Sequence, residues 1–456
     1  MNGVLDDERM SDVDALLWNV ETLPRNRTTI AALARFDGPL DPAELRARVD
    51  RASRVVPRLR QRVAAAPLPI APPCWSIDPE FRLSFHLRTL PLANGDDARV
   101  ADAARDLIVQ PFDRDRPLWE FTHLTGLADG GDALLLKAHH AISDGVGSIE
   151  LMVELFDPQD VHASTRAPLP AAPRPPDRTP SPAATICREI TAVLAGASSV
   201  LDRLIEPNSR PDATAASRAL GEAVGSAARL LRSTTEPTVP VGRSDGLDLR
   251  FLAVPLDVLR AAGRRVGGTV NDAFVAAVAL GVARHFDVPS TAPLRIGVPI
   301  STRGVDAGVG NHWAASRIDI VVDGACDPTA LTTRVRRAMR RARVDPTHRL
   351  LDPLAAGLCR LPAPLSASVF ASVGAAFDIA ASNVPGSPVP LRLCGRDVTA
   401  MIPFGPLSGS AVNATLLSHA DTAHVGVASD PAAMGDPDRL IDDLLDAFAA
   451  VTGAGR

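Results

Sequence analysis

Residues 133–145 read ALLLKAHHAISDG, and this stretch decides much of what can be expected of the chain. The apolar run at 133–138 predicts a β-strand, and the turn sequence DGGD at 129–132 joins it to a strand predicted at 119–127. Apolar residues then recur at helical spacing through 145–156. The predicted order of hairpin, short loop and helix places two adjacent histidines at the end of a strand.

These two histidines are the residues for which we expect a chemical role. Successive side chains on a strand point to opposite faces, so His139 and His140 are not expected to serve the same atom. A neutral imidazole accepts a proton near neutral pH, because its ordinary pKa is about 6.5. Asp144 could orient the loop through a cation, and Gly145 permits backbone angles that a larger residue resists. The simpler alternative, in which the histidines cap a strand and the aspartate caps a helix, accounts less well for this combination of residues.

Length and composition limit the class of protein. The 456 residues predict two or three domains, and the apolar fraction of 46% is that of a globular chain. The net charge of −5 argues against a nucleic-acid partner. Five cysteines are scattered singly and no secretory leader is recognisable, which predicts a cytoplasmic protein. The long uncharged stretch at 398–420 is interrupted by proline and glycine, so no transmembrane segment is predicted.

Other common chemistries lack their sequence signatures. No HExxH or CxxC is present and adjacent strand histidines diverge, so a metal site is a weak alternative and we predict none. The GxSxG elbow, the Walker A motif and GxGxxG are also missing. Covalent and nucleotide-driven mechanisms are therefore disfavoured.

The chain divides into three parts by composition. Residues 1–156 alternate helix and strand patterns and form a predicted N-terminal subdomain. Residues 157–246 begin with a proline-rich linker and continue as connecting helices, which could pack on the protein or lie on a bilayer surface. Residues 247–456 form a predicted C-terminal subdomain.

Three helices carry N-terminal signals. Asp41 precedes a proline at the first helical position, and Asp436 does the same near the C-terminus. Thr269 and Asp272 stand at the N-cap and N3 positions of a capping box. We therefore expect helices to begin at these three places.

The motif HHxxxDG at 139–145 resembles the acyl-transfer motif of chloramphenicol acetyltransferases, peptide-synthetase condensation domains and bacterial wax ester synthase/diacylglycerol acyltransferases. Four further segments are similar to the last family, in its order: MSDVDAL at 10–16, PLW at 117–119, ND at 271–272 and SNVPG at 382–386. The resemblance covers nearly the whole chain. Two departures, Ser387 in place of proline and PRN at 24–26 in place of an apolar stretch, concern substrate preference more than fold or reaction.

The resemblance implies an α/β (α+β) fold of two chloramphenicol-acetyltransferase-like subdomains, with mixed sheets and a tunnel at their interface. His140 would be reached from both sides, by acyl-CoA through one mouth and by a hydroxyl acceptor through the other. It would act as the general base, removing the proton of the acceptor as its oxygen attacks the thioester, without an acyl-enzyme. Acyl-CoA is then a co-substrate, and no bound cofactor is expected.

The resemblance also suggests roles for residues around the motif. His139 would support the site, and Asp144 and Gly145 would shape the loop. Arg303, in a PISTRG stretch after a predicted strand, is a candidate ion-pair partner of Asp144.

Four further residues are expected to bind substrate or line the tunnel. For Asn271, the alternative is an ordinary residue in the first turn of a helix. For Trp119, the alternative is a residue of the core. Asn383 and Gly386 would shape a loop beside the tunnel, with ordinary loop geometry as the alternative.

The expected activity is O-acyl transfer of a long acyl chain from acyl-CoA to diacylglycerol, forming triacylglycerol, with long-chain alcohols as second acceptors that would give wax esters. One alternative is a related acyltransferase with another alcohol or amine acceptor or a carrier-protein donor. The other is a catalytically silent protein that binds lipid or acyl-CoA. Because the substrates are apolar, we expect peripheral contact of this cytoplasmic protein with the inner membrane face or with lipid droplets.

Overall fold

The computed structural model describes residues 8–23, 26–65, 72–142, 148–159, 168–175, 191, 238–239, 242–289, 291–301, 313–344 and 351–454. Its helices are α1 Asp12–Val20, α2 Pro42–Val55, α3 Leu83–His86, α4 Asp97–Ile108, α5 Ser148–Leu155, α6 Leu256–Arg265, α7 Val270–His285, α8 Pro328–Arg343, α9 Leu351–Leu358, α10 Ala363–Gly374 and α11 Pro437–Thr452. Its strands are β1 Glu8–Arg9, β2 Thr29–Phe36, β3 Gln61–Ala64, β4 Cys74–Ile77, β5 Leu87–Gly95, β6 Trp119–Leu127, β7 Ala133–His139, β8 Asp157–Pro158, β9 Asp248–Pro255, β10 Pro293–Ser301, β11 Trp313–Val321, β12 Ile379–Ser387, β13 Leu391–Leu393, β14 Arg396–Phe404, β15 Val412–His419 and β16 Thr422–Ser429.

The three predicted helix starts are confirmed. The Asp41 carboxylate accepts hydrogen bonds from the backbone N–H groups of Ala43 and Glu44 at the start of α2, both at 2.8 Å. At α7, the Asp272 carboxylate accepts from the backbone N–H of Thr269 at 2.7 Å. Asp436 caps α11 in the same way as Asp41 caps α2. Each cap satisfies N–H groups that have no partner within the helix.

A seven-stranded sheet carries the two histidines. Its strand order is β5-β6-β7-β2-β14-β13-β8, with β5 and β6 parallel and the other pairs antiparallel. The predicted hairpin is confirmed as β6 and β7, with Trp119 opposite Ala138. On the other side β7 pairs with β2, where Thr29 lies opposite His139. The histidine end of β7 is therefore held between two strands.

A six-stranded sheet forms the C-terminal half, in the order β11-β10-β12-β15-β16-β9. β12 is parallel to β10 and to β15, and the other pairs are antiparallel, so both large sheets are mixed as expected. α7 packs against α6, α8 and α11. Its residues 272–283 are all buried, because the sequence AFVAAVALGVA carries no charge on any side of the helix. A third, three-stranded sheet is formed by β1, β4 and β3.

Two strands cross the expected boundary between the subdomains. β13 and β14 lie at 391–404 in the sequence, yet they belong to the N-terminal sheet, where β14 pairs with β2 and β13 pairs with β8. The N-terminal sheet is therefore completed by a segment from the C-terminal third, while the expected division into 1–156, 157–246 and 247–456 stays a prediction. Residues 157–158 form β8 rather than linker. Most of the predicted linker and its connecting helices lie outside the described residues.

One apolar cluster joins the two halves. It includes Ala141 and Ile142, which follow the histidines, together with Ala367 of α10 and Leu417 of β15. Val384 of β12 packs against the same cluster. The segment after the histidines is therefore buried between elements of both halves.

The length and composition of the described helices limit which of them could cross a bilayer. Taken singly, none of them is both long and apolar enough to cross a bilayer. The bent pair of α6 and α7, taken together, has the length and composition that a span requires.

Candidate active site

The backbone around the two histidines is fixed by neighbouring segments. The His139 N–H donates to the Leu118 carbonyl at 3.0 Å, and the His140 N–H donates to the Thr28 carbonyl at 2.9 Å. The Ile142 N–H donates back to the His139 carbonyl at 3.0 Å and closes a tight turn. A loop held in this way keeps its side chains in place, as a catalytic base requires.

The His139 ring is fully buried, and both of its nitrogens are engaged. The backbone N–H of Ala141 donates to Nδ1 at 3.0 Å, so Nδ1 is an acceptor and the ring proton lies on Nε2. Nε2 lies 2.8 Å from Oε2 of Glu21 and 2.9 Å from Oγ1 of Thr28. Both nitrogens of His139 are therefore engaged within the protein, and neither faces a substrate.

Glu21 anchors this ring from the segment after α1. Burial by itself would raise the pKa of the Glu21 carboxyl, but the hydrogen bond from His139 opposes this effect and the pKa is lowered. The Thr28 N–H, which donates at 3.2 Å, and the Arg114 guanidinium contribute to the same lowering. The net effect is a pKa below the ordinary value, so Glu21 is a carboxylate at neutral pH.

Aromatic rings pack around His139. The Trp18 and Phe112 rings have their centroids 6.1 and 6.2 Å from the imidazole centroid. Arg114 stacks on Trp18 with its guanidinium carbon 3.4 Å from the ring centroid. Lys137, the only lysine of the chain, lies 4.4 Å from the Phe112 centroid and donates to the Gln110 carbonyl at 2.7 Å. Burial lowers the pKa of Lys137.

His140 lies in a different environment from His139. Its side chain is partly exposed, whereas His139 has no exposed surface. Asp144 and Gly145 lie outside the described residues, as does Arg303. The ion pair expected between Asp144 and Arg303 therefore stays a prediction.

A cleft opens between the two halves beside the start of β2. It encloses a cavity of about 110 Å³. Thr29, which pairs with His139 in the sheet, is among its lining residues. The others include Asn26, Ile108, Arg243, Phe404 and Asp430. The expected tunnel through the molecule stays a prediction.

Asn271 and Trp119 have different surroundings. Asn271 is the second residue of α7 and is partly exposed, next to the capping box of Asp272. Trp119 has no exposed surface, and its indole N–H donates to the Leu59 carbonyl at 2.8 Å. Its ring stacks on His86 with the centroids 4.6 Å apart. Trp119 is therefore packed in the core, which is the alternative that the sequence offered for it, and a place at a tunnel wall stays a prediction.

Asn383 and Gly386 lie in a strand, not in the loop that the sequence suggested. Asn383 of β12 is exposed and lies opposite Leu416 of β15, and the pairing shifts its register between Val384 and Ser387. A Cβ atom at Gly386 would stand 1.7 Å from the Ser418 carbonyl oxygen. The glycine is required because two backbones approach closely here.

The sequence did not single out Glu21, Thr28 or Asn26. Asn26, within the departure at 24–26, is buried and its amide donates to the carbonyls of Val20 and Ala367 at 3.2 and 2.9 Å. This amide therefore ties α1 to α10. The polar residues after α1 were the available signal, but no local pattern indicates that they meet β7.

A buried ion pair in the C-terminal half was also missed. Arg295 of β10 and Asp378 are 2% and 0% exposed, and Nη2 of Arg295 lies 2.8 Å from Oδ1 of Asp378. The Asp378 carboxylate also accepts the backbone N–H groups of Arg295 and Thr238, at 2.8 and 3.2 Å. A buried charge pair needs such additional hydrogen bonds.

Comparison with protein families gives two matches along the chain. Residues 10–274 match the wax ester synthase/diacylglycerol acyltransferase catalytic domain. Residues 309–452 match the C-terminal domain of the same family. A Mycobacterium tuberculosis protein named "Putative diacyglycerol O-acyltransferase" is 33% identical over 461 residues, which cover 97% of this chain and 91% of the relative.

Solved structures share the fold. The wax ester synthase/diacylglycerol acyltransferase from Marinobacter aquaeolei VT8 matches with a TM-score of 0.61 and 20% identity, over 98% of this chain and 100% of that one. A starter condensation domain of rhizomide synthetase in complex with C8-CoA matches with a TM-score of 0.57 and 13% identity, over 98% of this chain and 95% of that one. The expected two-subdomain fold is thereby confirmed.

Proposed function

The chain belongs to the wax ester synthase/diacylglycerol acyltransferase family and is an acyltransferase, and on that premise we propose that it transfers a long acyl chain from acyl-CoA to diacylglycerol, with His140 as the general base. Long-chain alcohols are the second class of acceptor in this proposal. Support for a CoA thioester as donor comes from the family and from the similar condensation domain that was solved with C8-CoA.

The observation that carries the assignment of the base is the difference between the two histidines. His139 is fully buried, and its Nδ1 accepts a hydrogen bond from the Ala141 N–H. The proton on its Nε2 is directed at Glu21 and Thr28. His140 is partly exposed and follows it directly on a fixed backbone. Of the two residues, only His140 keeps accessible surface, and this difference supports His140 as the base.

In the proposed reaction the acceptor hydroxyl gives its proton to the His140 imidazole as its oxygen attacks the thioester carbonyl carbon. The carbon–sulfur bond then breaks, and the departing CoA thiolate takes the proton back from the imidazolium. The ester is the product and no acyl-enzyme forms. General-base assistance supplies about 10²–10⁴-fold, so holding donor and acceptor together must supply much of the remaining acceleration.

The neighbouring residues have positioning roles in this proposal. His139 fixes the turn through Ala141, and Glu21 holds His139 in one tautomer. Asp144 and Gly145 shape the following loop, with Arg303 as the ion-pair partner of Asp144. Asn271 lines the site from α7, and Asn383 and Gly386 border it from β12.

A point variant tests the base. His140→Ala should lower turnover of labelled long-chain acyl-CoA with diacylglycerol by about 10²–10⁴-fold, because the proton acceptor is lost. Circular dichroism and the urea midpoint should match those of the wild type, since the replaced ring is partly exposed. Turnover that survives in a folded His140→Ala protein would remove His140 as the base.

An acceptor panel tests the substrate. Purified protein is incubated with labelled acyl-CoA and diacylglycerol, long-chain alcohols or amines, and the neutral lipids are then resolved. We expect triacylglycerol as the main product. Transfer only to another alcohol or amine, or only from a carrier-protein thioester, would favour a related acyltransferase, and binding without any turnover would favour a silent lipid-binding protein.

A further inference from the structure

α8 carries an unusual concentration of positive charge. Residues 328–344 contain six arginines and no carboxylate, in a chain whose net charge is −5. These residues are Arg334, Arg336, Arg337, Arg340, Arg341 and Arg343. The nearest carboxylate upstream belongs to Asp327, which caps the helix N-terminus.

The charge lies on the face of α8 that is turned away from the core. Leu331, Val335 and Met339 are buried in the C-terminal core. The exposed arginines recur at the intervening positions. At 100° per residue, Arg337, Arg341 and Val344 fall on one outward stripe, with Arg334 and Arg340 at its sides. Val344 is 79% exposed and stands among these arginines.

The stability of the helix does not account for this pattern. Cations in the last turn interact favourably with the helix dipole, but Arg334 and Arg337 lie before that turn. Arginines three and four residues apart repel one another. Within the described residues none of the six forms an ion pair, whereas Arg35 contacts both Asp97 and Asp129. The face is thus suited to an anionic partner.

The arginine face continues toward the end of the C-terminal half that carries Asn271. A Cβ atom at Gly267, in the turn between α6 and α7, would stand 3.4 Å from Nη2 of Arg336. Asn271 follows in the first turn of α7. The middle of α8, at Arg336, therefore lies beside the turn that precedes α7.

We propose that this arginine face, defined as Arg334, Arg337, Arg340 and Arg341 around Val344, docks the protein on the surface of an anionic lipid bilayer. The stripe from 334 to 344 is about 15 Å long, which fits a row of headgroups rather than one phosphate. The apolar face of α8 is used inside the core, so the contact is electrostatic and superficial. The choice of a bilayer rests on the proposed function, because diacylglycerol resides in one.

Vesicle binding tests the proposal with the full-length protein. The probes are vesicles of phosphatidylcholine alone and of phosphatidylcholine mixed equally with phosphatidylglycerol. We expect the wild type to bind only the anionic vesicles at about 0.1 M salt. Each arginine near an anionic surface strengthens binding by about fivefold, so R337Q/R340Q/R341Q should weaken it by about a hundredfold.

A matched variant controls for net charge. R46Q/R82Q/R99Q removes three exposed arginines from the N-terminal half and should bind as the wild type does. Equal loss in both triple variants, or equal binding of neutral and anionic vesicles by the wild type, would overturn the proposal. Retention of a DNA duplex, but not of anionic vesicles, would overturn it as well.

An assay in detergent separates this proposal from the proposed function. All three proteins should turn over diacylglycerol equally when it is presented in neutral detergent micelles, whereas R337Q/R340Q/R341Q should be slower with diacylglycerol held in anionic vesicles. Charge-dependent vesicle binding by a protein without turnover in micelles would contradict the acyltransferase proposal and would support the docking surface.

Discussion

At the scale of single residues, the environment of His139 explains why two adjacent histidines differ in their availability for a reaction. The Ala141 N–H fixes one nitrogen and the Glu21 carboxylate faces the proton on the other. The ring of His139 is therefore held by hydrogen bonds at both nitrogens, whereas His140 next to it is a partly exposed residue. The sequence HH alone does not distinguish the two.

Glu21→Gln tests the tautomer lock. The variant keeps a hydrogen-bond acceptor but loses the charge, and we expect it to unfold with about 1–2 kcal/mol less free energy at pH 7. Because the folded-state pKa of Glu21 is lowered, its contribution is present above the ordinary carboxyl pKa and is lost as pH falls through the folded value. Urea unfolding at a series of pH values should therefore show the two proteins converging in acid. A gap that is independent of pH would argue against an ionised Glu21.

Lys137→Arg tests how tightly the pocket behind His139 is packed. Lys137 is 1% exposed and lies over Phe112, so the larger guanidinium must displace its neighbours. We expect a loss of about 1–3 kcal/mol in the free energy of unfolding, measured by urea titration. The exposed Arg82→Lys is the matched control and should change it by less than about 0.5 kcal/mol. Equal stability of both variants would show that the pocket accommodates either cation.

At the scale of elements, β12 shows how a motif can be recognised while its conformation is misjudged. The proline and glycine of SNVPG suggested a loop, but Asn383 and Gly386 lie in a strand whose register shifts against β15. The glycine serves a close approach of two backbones rather than a turn. Pairing with a distant strand overrode the local preference of the sequence.

Gly386→Ala tests this close approach. The added methyl group would stand 1.7 Å from the Ser418 carbonyl oxygen, so β12 and β15 must move apart. We expect a loss of about 3 kcal/mol or more in the free energy of unfolding. Gly357→Ala in α9 is the control, because its Cβ would meet nothing within 4 Å, and it should stabilise the protein by about 0.5–1 kcal/mol. Thermal and urea unfolding measure both, and a stable Gly386→Ala protein would contradict the observed register.

At the scale of the whole molecule, the C-terminal third of the chain contributes two strands to the N-terminal sheet. β13 and β14 belong to the N-terminal sheet, while β12 before them and β15 after them belong to the C-terminal sheet. The apolar cluster around Ala141 and Ile142 draws residues from both halves. The histidine-bearing strand thus depends on parts of the chain that lie more than two hundred residues away.

A fragment of residues 1–246 tests this dependence. Without β13 and β14 it would expose the apolar edge of β2, so we expect no cooperative urea transition by far-UV circular dichroism. Adding a fragment of residues 247–456 should restore a transition if the strands pair in trans. Cooperative unfolding of the first fragment alone would show that its sheet is complete without the exchanged strands.

The sequence by itself determined the hairpin of β6 and β7, the caps at Asp41, Thr269 and Asp436, and the family resemblance. These features are set by neighbouring residues, through turn chemistry, period-two alternation and the hydrogen bonds of the first helical turn. Such local rules act within about a dozen residues and can be read directly.

Only the tertiary structure decided which residues surround the histidines. Glu21 and Thr28 reach His139 across more than a hundred residues, and β14 enters the N-terminal sheet from the C-terminal third. The sequence left Trp119 open between the core and a tunnel wall, because exposure depends on everything that packs around a side chain. Contacts of this kind arise when the chain closes on itself, and no short stretch of sequence encodes its own distant partner.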